Sequence, residues 1–101
     1  MNTENIVAHA RARFDHETAK RVLKEKYEAK MVFAYNGGMF RAGPELQMTC
    51  LTCPDTEAVI LDLYGNPVKI QTRELLALSQ SRWQEQMNAW LVEFEENNKQ
   101  R

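Results

Sequence analysis

Ala58–Glu96, AVILDLYGNPVKIQTRELLALSQSRWQEQMNAWLVEFEE, is the stretch whose reading decides the fold. Its first part alternates. Val59, Leu61 and Leu63 fall on one side, and Ile60, Asp62 and Tyr64 on the other. A period of two marks a strand with one buried face. Gly65-Asn66-Pro67 interrupts the pattern and Val68-Lys69-Ile70 resumes it, as two strands joined by a turn require. Pairing Leu63 with Val68 sets Leu61 opposite Ile70 and Asp62 opposite Lys69. That register collects the aliphatic side chains on one face and an opposite-charge pair on the other, and each such cross-strand pair contributes roughly 0.2–1 kcal/mol. Pro67 has no N–H to close a tight turn, so Tyr64 to Pro67 reads as the loop.

The second part of the stretch changes period. Thr72 is the expected N-cap of a helix, with Glu74 in the first turn where the helix dipole favours a carboxylate. Leu76, Trp83, Met87, Trp90, Leu91 and Phe94 fall on one arc of that helix, the pattern of an amphipathic face. Thr72 to Glu96 makes a helix of about 35–38 Å, whereas a strand of ordinary length covers about 17–20 Å. The C-terminal turns, with Trp90 and Phe94, are therefore expected to overhang the sheet and to need a further cover.

Working outward, Met31–Ala42, MVFAYNGGMFRA, reads as another strand pair turning at Asn36-Gly37, because both central residues of a type I′ turn need positive φ. Gly43-Pro44-Glu45 reads as a break, and Leu46–Thr52 as a further strand. Upstream, Ile6, Val7, Ala10 and Phe14 form one apolar stripe, and Ala19, Leu23 and Tyr27 form another rotated away from it. Asp15 lies between them, a good N-cap, so the N-terminal helix is expected to break there or to change partner. Helices flank contiguous strands, with no βαβ crossover. The predicted class is α+β: an N-terminal helix, an antiparallel β-meander of about four to five strands, and a long C-terminal helix on one face of the sheet. The 101 residues predict a single domain spanning 1–101, with a frayed polar tail at 95–101.

Composition narrows the function classes. The chain is 44% hydrophobic and 27% charged with a net charge of −1, which supplies no bulk attraction to nucleic acid or anionic membrane. No apolar run approaches the roughly 20 residues that span a bilayer. The first residues, MNTENIVAHARARF, lack the apolar core of a signal peptide. A cytoplasmic protein, of a cell or of a virus within one, is expected.

Candidate chemistry is sparse. Cys50 and Cys53 form a single CxxC. Read as extended, the two side chains point to opposite faces, and zinc needs four ligands where no second CxxC is present. They are weak metal candidates, with His9 and His16 as the other soft ligands. Ser79 and Ser81 have no glycine elbow or paired histidine, and no HExxH, P-loop or GxGxxG is present. No catalytic residue and no cofactor is assigned. Residues 11–30 hold seven Lys/Arg, and Arg11, Arg13, Lys20, Arg21 and Lys24 are the candidates for phosphate contact in a nucleic-acid-associated regulator, the alternative function. Against it, Glu17–Arg21, Arg21–Glu25 and Lys24–Glu28 are i, i+4 pairs of a solvated face.

The expected function is a small non-enzymatic interaction or structural protein. It forms a homo-oligomer or docks on a protein partner through Trp83, Met87, Trp90, Leu91 and Phe94, with Leu23 and Tyr27 beside them, because aromatic anchors dominate interface energetics. In length, lack of a catalytic set and helices flanking a small meander, the chain is similar to many accessory or virion proteins of bacteriophages; no motif carries that likeness.

Overall fold

Asn36 and Gly37 both take positive φ, 47° and 81°, and so join β1 (Val32–Tyr35) to β2 (Gly38–Arg41) as an antiparallel hairpin pairing Phe33 with Phe40. This is the hairpin that Asn-Gly announces. The computed structural model describes residues 3–99 and has the order α1 (Thr3–Lys30), β1, β2, α2 (Pro44–Thr52), β3 (Glu57–Leu61), β4 (Pro67–Gln71) and α3 (Thr72–Lys99). The α+β class, the antiparallel pairing and the two long terminal helices are as read from the sequence. The meander is not one sheet: β1–β2 and β3–β4 are separate two-stranded hairpins.

Leu46–Thr52 is helical, not a strand. Gly43-Pro44-Glu45 starts α2 instead of breaking the chain, with Pro44 in the first turn and Glu45 beside it. Proline suits that position, since its missing N–H would have no helical partner there. Leu46 and Cys50, one turn apart, face the core.

The β3–β4 register is also displaced. Ile60 pairs with Val68 and Ala58 with Ile70, whereas Leu63–Val68 and Leu61–Ile70 were expected. The shift is odd, so it exchanges the faces. Val59 and Leu61 point outward at 66% exposure each, and Ile70 is completely buried. Asp62 sets the displacement. Its carboxylate accepts the backbone N–H groups of Tyr64, Asn66 and Met39 at 2.9–3.1 Å, which makes residues 62–66 the turn. Lys69 pairs with Glu57 at 2.5 Å, not with Asp62. Donation by three N–H groups, Asn66 first, holds the Asp62 carboxyl below its ordinary range.

The hairpins are joined by hydrogen bonds, among them Leu63 N–H to the Met39 carbonyl at 2.8 Å and Asn36 Nδ2 to the Lys69 carbonyl at 3.0 Å, and they pack closely at Gly38. A Cβ on Gly38 would lie 2.7 Å from Val68 Cγ2 and 3.3 Å from Asp62 Cβ. The core gathers around Phe33, Phe40, Leu46, Ile70 and Leu75, and fully burying a side chain of this size stabilises by roughly 1.5–3 kcal/mol. On α3 the residues with no exposed surface are Leu75 and Ser79, with Thr72 nearly so. Thr72 does not cap α3 through its side chain. Its hydroxyl donates to the Asp55 and Thr56 carbonyls, tying the helix start to the α2–β3 loop. The Ser79 hydroxyl accepts the buried Gly43 N–H at 3.1 Å and so ties α3 to the start of α2.

α1 is unbroken at Asp15. What changes along the helix is burial, and among the described residues nothing buries the segment before Asp15. Residues 3–15 are all exposed, and Leu23 and Tyr27 are buried. The polar tail remains helical through Lys99, and residues 100–101 lie outside the described residues. The radius of gyration is 19.4 Å with extents of 66 × 25 × 21 Å, against about 13 Å for a compact chain of this length. The excess is the α1–α3 arm.

Candidate functional site: the helical arm

α1 and α3 run antiparallel along the arm. Lys30 lies by Arg82, whose guanidinium donates to its carbonyl at 3.3 Å. One turn earlier, Tyr27 stacks on Trp90 with centroids 5.9 Å apart and planes 9° from parallel. Glu93 closes the pairing, accepting from Lys26 Nζ at 2.5 Å and from the Tyr27 hydroxyl. The two donors, Lys26 first, hold the Glu93 carboxyl below its ordinary value. Glu93 in turn raises both Lys26 and Tyr27, by stabilising their protonated forms.

The expected partner-binding residues divide into two groups. Leu23 and Tyr27 are buried, and Trp83, Met87 and Trp90 are half-buried within the subunit. Trp83 and Met87 pack on the core, and Trp90 is covered on one face by Tyr27. Trp83 and Met87 thus hold α3 to the core, and Tyr27 and Trp90 hold α1 to α3. Leu91 and Phe94 stay open at 54% and 43% exposure. The N-terminal stripe is open too: Ile6 at 54%, Val7 at 51% and Phe14 at 69%.

From the Lys26–Glu93 pair the two helices diverge in length. α1 continues back to Thr3, and α3 continues forward to Lys99. At 1.5 Å per residue α1 outruns the described end of α3 by about 25 Å. This overhang is a single helix whose own subunit offers no face for its apolar stripe.

The basic candidates Arg11, Arg13, Lys20, Arg21 and Lys24 are all exposed on α1. They do not form one basic strip. At 100° per residue Arg13, Lys20 and Lys24 share a side with Glu17 and Glu28, and Arg11 lies well away from it. Lys24 is 3.8 Å from Glu28.

Cys50 and Cys53 are free thiols. Because α2 is a helix, they lie three apart near its C-terminal end and share a side, correcting the extended reading. They line a cleft of about 250 Å³ together with Thr72 and Arg73. Burial, and then Cys53, push the Cys50 thiol up, opposite to the direction that activates a nucleophile. Cys53 Sγ donates to the Thr49 carbonyl at 3.2 Å. His9 is exposed, and His16 is half-buried with its Nδ1 unbonded. Among the described residues no group of three or more His, Cys, Asp or Glu side chains is placed to hold a metal ion. A broader groove of about 430 Å³ lies between the start of α2 and β3, lined by Phe40, Gly43, Leu46, Ile60 and Leu63.

Sequence reasoning passed over Glu93 and Ser79. Ser79 continues a Thr72, Leu75, Ser79, Trp83 repeat of three and four residues, but its polar character hid it from an apolar stripe. Nothing local marks Glu93, whose partners are 66 and 67 residues away.

Comparison with protein-family models, with curated proteins and with solved structures finds no match for this chain. No helix among the described residues is long and apolar enough to cross a membrane.

Proposed function

We propose that this is a non-enzymatic interaction or structural protein that docks through its helical arm. The supporting observation is the overhang of α1. A helix gains most of its stability by packing an apolar face, and one standing alone in water is marginal at such lengths. Residues 3–15 have no buried side chain, yet they carry Ile6, Val7 and Phe14 at regular helical spacing. Leu91 and Phe94 add apolar surface on the neighbouring helix. Exposed apolar surfaces on both helices of one arm, each bordered by charge, favour an interaction role.

Native mass measured together with any co-purifying material tests the reading. An assembly that loses its partner when Phe14 is changed to Asp is the expected result. A chain that remains a monomer at the highest attainable concentration, and that brings no partner with it, overturns it.

A further inference from the structure

Resting on the arm as the docking surface, we infer that its occupant is a second copy of this chain, with the overhanging α1 of each copy lying along the end of α3 of the other.

Length is the first argument. α1 extends about 25 Å beyond Lys99, and the part of α3 that runs alongside α1, from Arg82 to Lys99, is also about 25 Å long. Two arms related by a two-fold axis and meeting at the ends of α3 would place each overhang beside the other copy's α3. Each α3 end is then held between its own α1 and the partner's, a three-helix cross-section on both sides of the axis. The contact is isologous and closes on itself, so it ends at a dimer.

Charge is the second argument. Residues 5–14 carry Arg11 and Arg13 and no carboxylate, and residues 91–96 carry Glu93, Glu95 and Glu96 and no cation. Glu93 is already engaged by Lys26 and Tyr27 within the subunit. Glu95 and Glu96 are exposed, as are both arginines. Glu95 lies one turn beyond Leu91, which sets the apolar and acidic groups of α3 on adjoining sides. Arg13 borders the Ile6–Ala10–Phe14 stripe in the same way. The chain already pairs a basic α1 with an acidic α3 internally, and the second copy would repeat that pairing on the free side of α3.

Area is the third. Ile6, Val7, Phe14, Leu91 and Phe94 are between 43% and 69% exposed. Covering them removes on the order of 500 Å² of apolar surface per copy, and the flanking Arg and Glu stems bring the total towards the roughly 800 Å² per partner of a stable interface.

The test is a charge exchange read by sedimentation. One chain carries Arg11→Glu and Arg13→Glu, and the other carries Glu95→Lys and Glu96→Lys. In self-pairs of either variant, like charges meet across both contacts, whereas a mixed pair restores opposite charges in both. The parent is expected at twice the chain mass of 11.8 kDa, each variant alone as a monomer, and the equimolar mixture again as a dimer. All four positions are exposed, and recovery on mixing also reports that both variants are folded. Phe14→Asp is expected to raise the dimer dissociation constant about 30-fold or more. A parent dimer that both variants and Phe14→Asp leave intact overturns this occupant of the arm, since the copies then meet elsewhere. A parent monomer that holds a different protein on the arm also overturns it and leaves the docking reading standing. A parent monomer with nothing bound overturns both.

Discussion

Ser79→Ala removes one oxygen from the centre of the molecule and leaves a backbone donor stranded. Ser79 has no exposed surface, and its hydroxyl takes the N–H of Gly43 at 3.1 Å, in a contact buried on both sides. Leaving such a donor unpaired costs about 1–3 kcal/mol. Alanine returns about 0.5 kcal/mol through its better helix propensity. The net loss is about 0.5–2.5 kcal/mol, and for a chain of this size each kcal/mol moves Tm by about 4–8 °C, so a fall of about 2–20 °C is expected. Urea unfolding followed by circular dichroism should show a lower midpoint with an unchanged slope. Ser81 supplies the control on the same helix. It is exposed, so Ser81→Ala should be neutral or stabilise by up to about 0.5 kcal/mol. If Ser79→Ala is as stable as the parent, or if both replacements shift the midpoint alike, the tie between α3 and the start of α2 does not contribute as argued.

Two further outcomes follow from contacts described above. The pairing of α1 with α3 should weaken at both ends of the pH scale. Glu93 has a lowered pKa, so its contribution is present above the unfolded carboxylate range and lost as pH falls through the folded value. Tyr27 and Lys26 have raised values, so theirs is complete below about pH 10 and lost as pH rises through the folded values. Tryptophan fluorescence, reporting Trp90 on Tyr27, should show both limbs, and Glu93→Gln should remove the acid limb; an unaltered acid limb in that variant refutes the assignment. At Gly38, an added Cβ meets Val68 Cγ2 at 2.7 Å and Phe40 Cε2 at 3.2 Å, so Gly38→Ala should cost about 1–3 kcal/mol as overpacking. Thermal unfolding would count against this contact if the variant matched the parent.

The parts of the fold legible in the sequence were those set by local chemistry. Asn36-Gly37 specifies its turn through two positive φ angles, and Trp83 to Phe94 announces α3 by periodicity. The errors arose where a residue acts through a distant partner. Pro44 read as a break is a helix start, and only the burial of Leu46 and Cys50 against the core distinguishes the two. Asp62 read as a strand residue is the centre of a turn, partly because Met39, 23 residues earlier, donates to it. Asp15 read as a cap costs a solvated helix little, since no buried group depends on it there. The candidate site was half legible. Trp90, Leu91 and Phe94 were found by their spacing, but which of them the subunit covers depends on Tyr27, 63 residues upstream of Trp90.

The distance in sequence between Lys26 and Glu93 also sets an order of events during synthesis. The hairpins and α2 can close as soon as their own residues have left the ribosome, because their pairings are local. The clasp on α1 cannot form until 67 more residues have been added, which at 5–20 residues per second takes about 3–13 s. Throughout that interval α1 is a nascent helix with both of its apolar stripes unclaimed, and the final element made is the one that docks the first.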